Sequence, residues 1–69
     1  MNKIEKLYFF LRGFVPIKKS HGFVLSYCPS NDFYCIWFKS GKLKYDVFNV
    51  YTTKLGAKFS WKILMGGSD

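Results

Sequence analysis

Apolar residues recur along this chain at two different periods. Ile4, Leu7, Tyr8 and Leu11 stand at helical spacing, with Lys3, Lys6 and Arg12 elsewhere on the wheel. Asn2 followed by Glu5 has the spacing of a capping box, with Asn in place of Ser or Thr. Gly13 offers a C-terminal stop, and Pro16 opposes continuation. The pattern predicts a helix over residues 2–12. Phe9, Phe10 and Phe14 widen its apolar stripe and are expected to pack under the following loop.

Residues 15–21, with Pro16, Lys18, Lys19 and His21, read as a connection. Beyond it the period becomes two. Residues 23–28 and 33–39 are predicted strands, separated by the turn signal Pro29-Ser30-Asn31-Asp32. Ser40-Gly41 reads as a two-residue hairpin turn leading to a third strand over 42–51. In 58–65, Phe59, Trp61, Ile63 and Met65 alternate with Lys58, Ser60, Lys62 and Leu64, which predicts a fourth strand. Leu55, Phe59 and Ile63 also fit helical spacing, so a helix is the alternative there. Gly66 to Asp69 reads as a frayed tail. The expected fold is a single α+β domain over 1–69: an N-terminal helix packed on a three- to four-stranded antiparallel meander.

These turns imply a register. A four-residue loop over 29–32 sets Cys28 opposite Phe33, Tyr27 opposite Tyr34, Leu25 opposite Ile36 and Phe23 opposite Phe38. A turn at Ser40-Gly41 sets Lys39 opposite Lys42 and Trp37 opposite Lys44. Strand alternation then gives one apolar face with Phe23, Leu25, Ile36, Phe38 and Tyr45, which the helix is expected to cover. The other face gathers Phe33, Trp37, Lys39, Lys42, Lys44 and Phe48. A slip of one residue would exchange the faces.

Charge gives that second face its meaning. Eleven Lys and Arg stand against four Asp and Glu, a net charge of +7 on 69 residues. Such a field attracts phosphate or acidic protein surfaces. Ten of the cations are Lys, which contacts a nucleic-acid backbone as a point charge rather than reading base edges. Aromatic residues make up 22% of the chain, more than one thin core encloses. Rings flanked by lysines suit single-stranded nucleic acid, bases stacking while cations follow the phosphates. The leading expectation is therefore a non-enzymatic nucleic-acid-binding module of low sequence specificity. The alternative is a small protein-binding regulator or inhibitor of the phage or mobile-element type. It would act on a larger nucleic-acid-handling machine, with a homodimer as one form.

Other chemistry is sparse. Glu5, Asp32, Asp46 and Asp69 are scattered, which argues against paired-carboxylate catalysis. Cys28 and Cys35 with one histidine lack zinc-ligand spacing and read as free thiols. No metal or cofactor is expected. Glu5 and Arg12 interrupt any leader-like run, and no stretch approaches a membrane span, so a cytoplasmic setting without a membrane partner is expected.

Lys18, Lys19, Ser20 and His21 form a second basic segment, in which the two lysines could clamp a phosphate. Gly13-Phe14, then Lys19-Ser20-His21 before a strand, and Leu55-Gly56 with Ile63-Leu64 near the end, resemble the small messenger-RNA interferase toxins of the HicA type. That resemblance covers a minor part of the chain and departs from the family's Gly-Ser-His at Lys19. It implies His21 as a catalytic residue for RNA cleavage, which makes ribonuclease activity a second alternative.

Overall fold

A computed structural model describes residues 1–66, in the order helix, four strands, helix. The elements are α1 (Lys3–Phe10), β1 (Val15–Ser20), β2 (Phe23–Cys28), β3 (Phe33–Gly41), β4 (Lys44–Tyr51) and α2 (Lys54–Leu64). The strands form one antiparallel sheet in sequence order, with β1 and β4 at its edges. The α+β class, the N-terminal helix and the four-stranded meander are as expected. Two element assignments are not. Residues 15–20 are a strand rather than a connection, and residues 54–64 are a helix rather than the fourth strand. The expected tail over Gly67–Asp69 lies outside the described residues.

Local chemistry sets each boundary. The Asn2 side chain accepts a hydrogen bond from the Glu5 N–H at 2.8 Å and caps α1. Gly13, at φ 83°, ends the helix. The Phe14 N–H donates to the Phe9 carbonyl and the Gly13 N–H to the Phe10 carbonyl, each at 2.9 Å, the pairing of a Schellman motif. His21 and Gly22 both have positive φ, 53° and 80°, as a two-residue turn matched to strand twist requires. That turn makes β1 the hairpin partner of β2. Pro16 is tolerated because β1 is an edge strand, and an irregularity between Pro16 and Lys18 interrupts the pairing.

The β2–β3 register is the expected one, from Phe23 opposite Phe38 to Cys28 opposite Phe33. The β3–β4 register is not. The turn falls at Lys42-Leu43, the pairing is irregular between Lys39 and Gly41, and Trp37 lies opposite Val47 instead of Lys44. Tyr45 thereby joins the face that carries Trp37, while Lys44 and Asp46 move to the face that carries Phe38.

Both sheet faces are covered, each by one helix. On one side Phe9 of α1 packs with Val24, Cys35, Trp37 and Tyr45, flanked by Tyr8, Phe14 and Phe33. On the other, Ala57, Trp61 and Met65 pack with Leu25 and Ile36, flanked by Phe23, Tyr34 and Tyr51. The face expected to lie under α1 is thus covered by α2. The face expected to be open is the one α1 covers.

Candidate functional site

The Glu5 carboxylate points at the sheet. Lys19 Nζ donates to both its oxygens at 2.8 Å, and the Tyr45 hydroxyl donates to Oε2 at 2.6 Å. The Lys19 ammonium, then the Tyr45 hydroxyl, hold the carboxyl down at about 2 against an ordinary 4.5. Burial, followed by the Glu5 hydrogen bond, raises the Tyr45 phenol. Nearby, the Tyr8 hydroxyl accepts from the Tyr45 N–H and donates to the Tyr45 carbonyl, both at 2.9 Å. This occupies backbone groups on the open edge of β4. These contacts turn α1 to an unexpected angle. Glu5 and Phe9 face inward, while Ile4, Leu7 and Leu11, expected inward, are exposed.

The predicted stacking platform does not exist in the expected form. Trp37 is only 6% exposed. Its indole N–H donates to Ser26 Oγ at 2.7 Å, and Ser26 donates in turn to the Cys35 carbonyl. Its ring meets Phe9 at 5.3 Å and Phe14 at 5.1 Å, both edge-on. Phe33 packs edge-on against Phe14 at 5.5 Å. The Trp37 ring is closed to a base, and Phe33 is half-buried at the margin of the same cluster. Lys39 is exposed on the Trp37 side, Lys42 sits at the hairpin tip, and Lys44 is exposed on the opposite side with Phe38 and Phe48.

The second basic segment is also divided. Lys18 and Lys19 are successive strand residues, opposite Leu25 and Val24, so their side chains leave on opposite faces and do not form one clamp. Lys19 is held by Glu5, the one ion pair among the described residues. An open pocket of about 380 Å³ lies beside them, lined by Met1, Lys6, Pro16 and Ile17 as well. His21 is exposed in its turn, with Nδ1 2.7 Å from Ser20 Oγ. Both thiols are free and buried. Burial pushes Cys35 up to about 11, while the Ser30 hydroxyl lowers Cys28.

The helices carry the surfaces that sequence reading missed. On α1, Ile4, Leu7, Phe10 and Leu11 are 54–71% exposed. Phe10 continues into a shallow pocket of about 230 Å³ with Gly13, Phe14, Val15 and Pro29. On α2, Leu55, Phe59 and Ile63 recur at four-residue spacing and are 62–81% exposed. Lys54, Lys58 and Lys62 form a parallel exposed row one position earlier. No acidic residue occurs in α2. Leu55, Phe59 and Ile63 have helical spacing, but that stripe points outward. The inward set, Ala57, Trp61, Leu64 and Met65, has its own helical spacing and was the usable signal.

No helix among the described residues is long and apolar enough to cross a membrane. The described residues also contain no cluster of three metal-ligating side chains. Comparison with protein-family models, curated proteins and solved structures finds no match.

Proposed function

We propose that the protein is a non-enzymatic interaction module that docks onto another protein through the outer faces of its helices. One observation carries this reading. Seven large apolar side chains, Ile4, Leu7, Phe10, Leu11, Leu55, Phe59 and Ile63, project more than half exposed from two short helices. A monomer scatters such groups singly, whereas rows of them mark a partner surface. Both rows are flanked by lysines: Lys3 and Lys6 on α1, and Lys54, Lys58 and Lys62 on α2. The single carboxylate of α1 is turned inward and neutralised.

The partner surface is therefore apolar with acidic flanks. A second copy is the weaker candidate, because face-to-face pairing of either helix row would bring its own lysines together. The test is affinity capture from nuclease-treated lysate with wild type and with Leu55→Glu/Phe59→Glu, alongside light scattering for self-association. A partner retained by wild type and lost by the double variant is expected. Equal capture by both proteins would remove α2 as the docking face.

A further inference from the structure

The end of the sheet beyond α2 carries a surface of different chemistry. Phe23 and Phe38 lie opposite each other on β2 and β3. The Phe48 ring meets Phe23 edge-on at 5.5 Å. Phe38 is 37% exposed and Phe48 47%, so α2 leaves this part of its face open. Lys44 stands opposite Gly41 on the same side, Lys18 stands opposite Leu25 on β1, and Lys42 is at the adjoining hairpin tip. Asp46, opposite Phe38, is the acidic residue of this end. The helix rows offer mainly aliphatic groups, whereas this surface offers flat rings between cations.

We infer that this end of the sheet binds single-stranded nucleic acid, with unpaired bases stacked on Phe38 and Phe48 and phosphates along Lys18, Lys42 and Lys44. A base within a duplex cannot reach a ring on a sheet, so the strand must be single. Lysine contacts phosphate as a point charge, so discrimination between sequences is weak. Asp46 repels phosphate and holds the backbone toward the lysines. This site is independent of the helix-face reading, and either can fail without the other.

The test is anisotropy of dye-labelled oligo(dT) and oligo(U) across a salt series. Wild type is expected to bind at low salt and to weaken as salt rises. Phe48→Leu and Phe38→Leu keep apolar contact but remove the flat ring, and each is expected to lose about fivefold or more in affinity. Lys44→Gln is expected to flatten the salt slope by about one. Asp46→Asn, which keeps the size of the side chain and removes its charge, is expected to tighten binding. Absence of binding at low salt overturns the inference, as does wild-type affinity in both leucine variants. So does loss of binding only in a Lys54→Gln/Lys58→Gln/Lys62→Gln protein, which would place the strand on α2.

Discussion

Glu5 ties α1 to both edges of the sheet, through Lys19 on β1 and Tyr45 on β4. Its folded carboxyl sits at about 2, below the ordinary 4.5. A depressed carboxyl stabilises the fold fully above 4.5 and loses that contribution as pH falls toward 2. Tyr45 runs the other way. Its raised phenol favours the fold below its ordinary value of 10, and that contribution drains as pH climbs above it. Urea unfolding across pH is expected to show both limbs. Glu5→Gln is expected to remove the acid limb and cost about 1–3 kcal/mol. An unchanged acid limb in that variant would show that another carboxylate sets it. Trp37 gives a second prediction at this scale. Its buried indole is expected to emit at short wavelength, and no oligonucleotide is expected to stack on it. Trp37→Phe leaves the buried Ser26 hydroxyl without its donor and is expected to cost about 1–3 kcal/mol in chemical denaturation.

At the scale of elements, what could be read from sequence was what local rules decide. The Asn2 cap, the Gly13 stop and the β2–β3 register follow from groups within a few residues of each other. Non-local chemistry decided the rest. A helical wheel counts Glu5 as polar and outward, because its partners Lys19 and Tyr45 lie on distant strands. The β3–β4 turn lies two residues later than expected, and the irregularity after Lys39 exchanges the faces of residues 44–47, which divides the predicted lysine-aromatic surface. Residues 58–65 are the exception: they satisfy both periods, and the deciding feature is a local one just upstream of them. Thr53 Oγ1 accepts from the Gly56 N–H at 3.1 Å and starts α2 as a helix. Thr53→Ala is expected to cost about 1 kcal/mol in thermal or chemical unfolding. A neutral result would mean that packing of Ala57 and Trp61 alone fixes where α2 begins. Of the predicted site residues, Phe48, Lys44 and Lys18 share one surface, whereas Trp37 belongs to the core and Phe33 lies half-buried at its margin.

For the whole molecule, the net charge of +7 and the excess of aromatic residues are distributed over more than one surface. The largest rings close two cores around one sheet, while apolar rows and lysines occupy the outward helix faces. Leu55 and Phe59 are mostly exposed, so Leu55→Glu/Phe59→Glu is expected to change folding stability by no more than about 0.5 kcal/mol. Function and fold can therefore be separated at these two positions. The direct measurement is capture of a partner from nuclease-treated lysate by wild type and by this double variant, at matched thermal stability. Capture by wild type and loss in the variant are expected. Capture that survives the substitutions, or disappears on nuclease treatment of wild type, would contradict docking through α2.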